Sequence, residues 1–203
     1  MARTRGLQPW RRLFHAANGV LLAVTPGLLG LSRAMTVTLL GAAFLVALWL
    51  DLLRLRNPEW NATFFRSFRH LASPREAAGI ASSTWYMLGG ALAWGLFPPL
   101  YASAGLLVLG LADPVASVIG RVWGSFPLGK GSIQGSLAFT LTAWIVLIVV
   151  TGQVLPVLWV ALGVALMEIV PGLVDDNLVV PLSTGTLLWL ILGTPATTTV
   201  LPF

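Results

Sequence analysis

Asp113 stands inside a strongly apolar run and is followed at once by Pro114. Ionisable groups within apolar, spanning segments are expensive and by default mark functional sites. On a helix, Asp113, Ser117, Gly120 and Gly124 fall at spacings of four, three and four, which puts them on one face. Ala112 and Ala116 lie beside them, giving a small-residue surface that a ligand or another helix can approach closely. Pro114 has no backbone donor, so the helix is expected to kink or open there. The plainer alternative is a packing face with one buried acid paired to an arginine.

A second candidate follows directly. The run from Gly124 to Ser132, GSFPLGKGS, nearly spells a nucleotide P-loop, but Gly131 stands where the hydroxyl belongs and Ser132 comes one place late. A P-loop also follows a β-strand, whereas this run follows an apolar helix, so as a P-loop it fails. Its physics can survive the failure. Glycines such as Gly129 and Gly131 let backbone N–H groups turn toward a phosphate, and Arg121 and Lys130 supply charge. A helix starting near Ser132 would aim its N-terminus at the same anion. The alternative is an ordinary glycine turn with a topology-setting lysine.

The third candidate is acidic. Glu168 ends an apolar run, and Asp175, Asp176 and Asn177 follow beyond Pro171-Gly172, with Pro181 further on. Three carboxylates and an amide on one short connection are hard oxygen ligands suited to Mg²⁺, which usually also takes phosphate oxygens. Near the front, Arg12, His15 and Gly19 share a helix face, and His15 is a candidate for proton transfer or phosphate contact, or else an interfacial hydrogen-bonding residue. Arg75-Glu76, Thr84 and Tyr86 form a weaker group of the same kind.

These residues need a membrane scaffold to position them. Of 203 residues 57% are hydrophobic and 9% charged, and the mean hydropathy is +0.86. A soluble domain carries about 25% charged residues, so the composition is that of an integral membrane protein. There is no cysteine, which excludes thiol catalysis, disulfides and Cys-ligated metals, and two histidines are too few for a His-rich centre. The net charge of +5 fits basic residues gathered on one side of a bilayer rather than nucleic-acid binding. The basic N-terminus lacks a small-residue cleavage site and reads as leading into a retained first helix.

A spanning helix takes roughly 20 mostly apolar residues. Seven stretches qualify, near residues 13–31, 34–53, 77–97, 99–118, 136–152, 155–170 and 178–192. The last is interrupted by Ser183–Thr186, which leaves six to eight spans open. The fold expected is all-α, one polytopic transmembrane domain over residues 1–203. With the N-terminus in the cytoplasm, only Arg33 of the 12 basic residues falls outside, in accord with the positive-inside rule. All seven acids then lie at or near the same cytoplasmic ends, so the chemistry is expected on that face. The segment over residues 55–78, with arginines interleaved by Trp60, Phe64, Phe65 and Phe68, suits a helix lying in the interface against anionic headgroups.

Taken together, the motifs resemble the CTP-dependent lipid kinase family, which includes dolichol kinase, phytol kinase and the CTP-dependent diacylglycerol kinases. The family pattern G-D-x-x-A-S-x-x-G-x-x-x-G is similar to the run from Ala112-Asp113 through Ala116-Ser117 and Gly120 to Gly124. K-[ST]-x-E-G resembles the run from Gly131-Ser132 to Gln134-Gly135, and E…D-N-x-x-x-P resembles Glu168 through Asp176-Asn177 to Pro181. R-[KR]-x-x-H-x-x-x-G resembles Arg11-Arg12 to His15 and Gly19. The matches run in family order from the first helix to the last. Alanine replaces glycine at 112, glycine stands at 131 with Lys130 one place early, and Gln134 replaces the glutamate.

The resemblance implies transfer of the γ-phosphate of CTP, with Mg²⁺, to the hydroxyl of a lipid alcohol: phytol, geranylgeraniol, a polyprenol such as dolichol, or diacylglycerol. Candidate Mg²⁺ ligands are Asp113, Asp175 and Asp176. Candidate nucleotide-binding residues are Ser117, Gly120, Arg121, Gly124, Gly129, Lys130, Gly131, Ser132 and Asn177. Glu168 is the candidate base, with Asp113 as substitute and His15 as a further catalytic candidate. The partners expected are a lipid alcohol, a nucleoside triphosphate and membrane lipids, with no nucleic acid; oligomerisation stays open. The setting expected is the cytoplasmic membrane of a prokaryote. The competing readings are a cytidylyltransferase that makes a CDP-lipid and releases pyrophosphate, and a small transporter or scaffold. The requirement that follows is geometric: Asp113 must meet the corner formed by Glu168 to Asn177.

Overall fold

The computed structural model describes residues 8–170 and 174–195. Arg3, Arg5 and Pro171-Gly172 lie outside them. The chain is an all-α, polytopic membrane protein. Seven long helices follow the seven expected stretches: α1 (Pro9–Leu28), α2 (Arg33–Arg56), α4 (Ser82–Leu96), α5 (Pro99–Val122), α6 (Ile133–Thr151), α7 (Leu155–Ile169) and α8 (Asp176–Leu192). α2, α5 and α6 are long and apolar enough to cross a membrane by length and composition, and α7 and α8 are shorter apolar helices.

The expected interfacial segment is a short helix, α3 (Pro58–Ser67), followed by a 3₁₀ turn over Pro74–Ala78. Asn57 caps α3 by accepting from the backbone N–H groups of Glu59 and Trp60. Two expectations about breaks need correcting. α8 runs unbroken through Ser183–Thr186, with the Ser183 and Thr184 hydroxyls both donating to the Val180 carbonyl, at 3.1 and 2.8 Å. α5 likewise continues past Pro114 to Val122 rather than opening there.

α5 is the central helix, packed against α1, α4, α6 and α8. Its Leu106, Val108 and Leu109 are fully buried, as are Phe139 and Leu147 of α6, Val157, Val160 and Val164 of α7, and Val180 and Leu188 of α8. Outward, Leu137, Leu141, Ile145 and Val149 of α6 form an exposed stripe at four-residue spacing, and Trp159 and Leu166 of α7 are exposed too. Such a surface suits lipid, because the helices satisfy their own backbone groups.

Arg33, the basic residue apart from the others, donates through Nε to the Trp94 carbonyl at 2.7 Å and through Nη2 to the Gly95 carbonyl. These are carbonyls of the last turn of α4, where a cation is favourable. The exception to the charge asymmetry is therefore spent on a helix end.

Candidate active site

Asp113 is the hub, and close helix crossings deliver its neighbours. α1 meets α5 where Gly19 faces Gly110. A Cβ on Gly19 would lie 2.5 Å from the Gly110 Cα, and one on Gly110 would lie 2.8 Å from the Gly19 Cα, so neither position admits a side chain. One turn before Gly19, His15 Nε2 lies 3.5 Å from Asp113 Oδ2. The imidazole packs edge-on to Tyr86, with centroids 4.9 Å apart, and the Tyr86 hydroxyl donates to the His15 carbonyl at 3.3 Å. Further along the same face, Arg12 Nη2 donates to Ser117 Oγ at 2.8 Å.

α8 reaches the hub in the same way. A Cβ on Gly105 of α5 would stand 2.7 Å from the Pro181 carbonyl oxygen, and Gly89 of α4 abuts the Asn177 carbonyl. The required meeting takes place: ligand oxygens of Asp113, Glu168 and Asp176, from α5, α7 and α8, all lie within 4.8 Å of one another. This trio differs from the expected metal ligands in one member. Asp175 is turned to capping α8, its Oδ1 accepting from the Asn177 backbone N at 3.0 Å and from Asn177 Nδ2 at 2.6 Å. Burial raises the Asp175 pKa above the ordinary aspartate range, with the Asn177 hydrogen bond acting against it. Glu168 takes its place in the trio.

The glycine segment is a two-stranded hairpin, β1 (Pro127–Leu128) and β2 (Gly131–Ser132), in antiparallel register with Pro127 opposite Ser132. Gly129 makes the turn at φ 54°. The Lys130 N–H donates to the Ile169 carbonyl at 3.2 Å, which pins the turn to the end of α7. That N–H is therefore committed to the fold. The side chain is not so committed: its ammonium contacts Asp176 closely and Glu168 at 3.5 Å.

The face through Gly120 and Gly124 has two uses. A Cβ at either position would press on Ser132 Oγ, at 3.0 and 2.7 Å, so this part of the face seats the start of α6. Ser132 itself caps α6 by accepting from the Gly135 N–H at 3.1 Å. Ser117 and Asp113 face open space instead. A cavity of about 420 Å³ is bounded by Arg12, His15, Asp113, Ser117, Asp176 and Asn177. A larger one of about 910 Å³ lies on the hairpin side, bounded by Ser117, Arg121, Lys130, Gly131, Ser132 and Glu168. Asp113, Ser117 and Arg121 line both.

Arg12 Nε and Nη1, His15 Nε2 and Asn177 Oδ1 are buried without hydrogen-bond partners among the described residues. Arg12 therefore keeps donors for an anion, and hard carboxylate oxygens face them across the cavity. The donor set fits Mg²⁺ with phosphate.

Sequence reasoning missed one cluster. Asp51 is buried and accepts from Arg54 Nε (2.6 Å), Thr84 Oγ1 (2.6 Å) and the Ala81 N–H (2.9 Å). Arg54 goes on to donate to Asn61 Oδ1 and to the carbonyls of Glu76 and Gly79. The available signal was an acid and an arginine three apart at the end of an apolar helix, which topology alone does not explain. Glu76, from the weaker group, is held by Ser82 Oγ at 2.8 Å and Arg11 at 3.5 Å.

Three curated proteins are similar to this chain, each named "CTP-dependent diacylglycerol kinase 1". The protein from Schizosaccharomyces pombe is 26% identical over 90% of this chain and 92% of its own length. The one from Saccharomyces cerevisiae is 28% identical over 66% of this chain, and the one from Eremothecium gossypii is 31% identical over 51%. The chain spans about half the length of the S. cerevisiae protein (49%) and about a third of the E. gossypii protein (32%). No protein-family model matches the chain. No solved structure does either.

Proposed function

The chain belongs to the CTP-dependent lipid kinase family, and we propose that it transfers the γ-phosphate of CTP to the hydroxyl of a membrane lipid, leaving CDP. The observation that carries this reading is the meeting of Asp113, Glu168 and Asp176 beside Lys130, with Asp113 and Asp176 lining a polar cavity that Arg12 also lines. Phosphoryl transfer asks little covalent chemistry of a protein and is catalysed mainly by positioning and electrostatics. Mg²⁺ held by the three carboxylates would neutralise charge on the transferring phosphoryl group.

The chain's own residues supply the remainder. Lys130 and Arg121 hold phosphate oxygens from the hairpin side, and Arg12 from the α1 side. His15 Nε2, buried and otherwise unpartnered at 3.5 Å from Asp113, takes the proton of the lipid hydroxyl. Glu168, the base expected from sequence, is drawn instead into the carboxylate trio and its lysine. As the hydroxyl oxygen bonds to the γ-phosphorus, the bond from that phosphorus to the β–γ bridging oxygen breaks, and the electron pair leaves with CDP. The charged end of the bundle faces the cytoplasm in this reading, which is where the nucleotide is.

The acceptor we favour is diacylglycerol, the lipid named in all three relatives, with isoprenoid alcohols as the alternative. The test is incubation of purified protein in lipid vesicles with γ-labelled CTP or ATP and a panel of diacylglycerol, phytol, geranylgeraniol and a longer polyprenol. Label in the phosphorylated lipid with CDP as coproduct is expected. Transfer to none of them would overturn the reading, and pyrophosphate release would favour a cytidylyltransferase.

A further inference from the structure

A third cavity, of about 130 Å³, opens between α1, the segment around α3 and α4, and the proposed reaction does not account for it. Its walls are apolar, with Phe14 of α1, Phe64 and Phe68, Leu71 and Ala72. Its inner end is polar, and Arg11, His15, Glu76 and Ser82 line both it and the site cavity. It therefore leads from an apolar mouth to the histidine beside Asp113. We propose that this passage is the acceptor channel, holding the hydroxyl-bearing end of diacylglycerol while the acyl chains remain in the bilayer. This rests on the lipid kinase reading above.

Size and chemistry choose the occupant. A volume of about 130 Å³ is roughly four times a water molecule's share of the liquid, enough for a hydroxyl end and a few carbons but not for an acyl chain. A nucleotide triphosphate would have to bury its charge against phenylalanines, which is unfavourable. The two routes to Asp113 are thus of opposite character, with Lys130, Arg121 and Ser132 on the hairpin side and Phe14, Phe64 and Phe68 on this one. The mouth is also where lipid would be. Phe14 and Phe68 are exposed there, and so is Trp60 of α3 nearby. Aromatic and basic residues on a short helix are the composition of an element lying at the headgroup level.

The buried Asp51–Arg54 pair gains a role from this assignment. A guanidinium 5% exposed in an apolar bundle is costly unless all its donors are used. Arg54 uses them on Asn61 of α3, the Glu76 carbonyl of the 3₁₀ turn and the Gly79 carbonyl before α4, and of these Glu76 lines the passage. It also lies 4.4 Å from the centroid of the Phe64 ring, a cation–π contact on a residue that lines the passage. Arg54 therefore ties together the segments that carry the passage.

Two measurements on the full chain in vesicles test this. Ala72→Phe, which fills the passage, is expected to lower kcat/KM for diacylglycerol at least tenfold while leaving the Kd for CTP within twofold. Unchanged transfer by the variant would overturn the channel and leave the kinase reading standing, whereas absence of transfer by the natural protein would remove that reading itself. A photoreactive diacylglycerol carrying its diazirine near the glycerol needs no mutation. Labelling of Phe14, Phe64, Phe68 or Leu71 is expected, and labelling confined to α6 and α7 would overturn the proposal even if Ala72→Phe fails to fold.

Discussion

Gly110→Ala tests whether the α1–α5 crossing sets the reactive geometry. The new Cβ would stand 2.8 Å from the Gly19 Cα and 3.3 Å from the Ala16 carbonyl oxygen. Carbon atoms pack without repulsion at about 3.5–4.0 Å. Both obstacles are backbone, so the helices must part by about 1 Å rather than rotate a side chain away. His15 rides on α1 one turn from the crossing, and its 3.5 Å separation from Asp113 grows by a similar amount. A displacement of about 1 Å can cost on the order of 100-fold in rate, or about 2.7 kcal/mol in the barrier. Overpacking should also lower stability by about 1–3 kcal/mol.

The assay is labelled phosphate transfer in vesicles, alongside thermal unfolding and CTP binding. The expected result is a kcat lowered on the order of 100-fold with a much smaller loss of CTP affinity, because Lys130 and Arg121 do not sit on α1 and only Arg12 moves with it. Gly41→Ala on α2 is the control, since a Cβ there meets nothing within 4 Å. That variant should keep full activity. Gly110→Ala with full kcat would refute the claim that the crossing places His15 for the reaction.

Removing one charge from the trio should be as severe. Asp113→Asn and Asp176→Asn are each expected to lower turnover about 10²–10³-fold, the cost of losing one electrostatic stabiliser, and to raise the Mg²⁺ concentration for half-maximal rate; full activity in both would remove the site. Lys130→Gln should raise the KM for CTP while lowering the Mg²⁺ needed for half-maximal rate, and a KM unchanged from the natural protein would exclude phosphate contact by this lysine. Arg33→Ala should lower stability by about 1 kcal/mol through the loss of two bonds to the end of α4, with unchanged turnover per folded molecule, read from thermal unfolding and the transfer assay.

The parts of this protein legible in sequence are those set by composition and by residues with no cheap alternative explanation. Seven apolar stretches became seven helices because a bilayer leaves the backbone little choice. Asp113 stood out because a carboxylate inside an apolar helix is expensive, and its meeting with Glu168 and Asp176 is in keeping with their common end of the bundle. By sequence Asp175 is expected among the metal ligands and Glu168 as the base, the reverse of what the trio shows, since which carboxylate caps a helix depends on where that helix begins; α8 begins at Asp176, and the cap fell to Asp175. Gly19, Gly110 and Gly105 gave no sign of which helix each faces, for a small residue announces close approach without naming the partner. The channel was hidden for a related reason. Phe14 comes from α1 and Phe64 and Phe68 from the segment around α3, and the Asp51–Arg54 cluster helps tie that segment to the start of α4.

The opposite signs expected for Lys130→Gln follow from the charge balance at the trio. At 4.8 Å and an effective dielectric near 20, two unit charges interact by about 3.5 kcal/mol, so three ionised carboxylates repel one another strongly. Lys130 offsets part of this by sharing its ammonium between Glu168 and Asp176. A divalent cation would offset more, and the lysine competes with it for the same oxygens, so losing the lysine favours the metal. A triphosphate reverses the ordering, for it brings negative charge to the hairpin side where Lys130 and Arg121 stand. The ammonium then does more by turning to phosphate oxygens, and that exchange needs no backbone movement. The Lys130 N–H stays fixed to Ile169 while the side chain pivots. The displacement of this lysine from the family register is accordingly compatible with its task, because the turn at Gly129 brings the ammonium to the acids from the adjacent position.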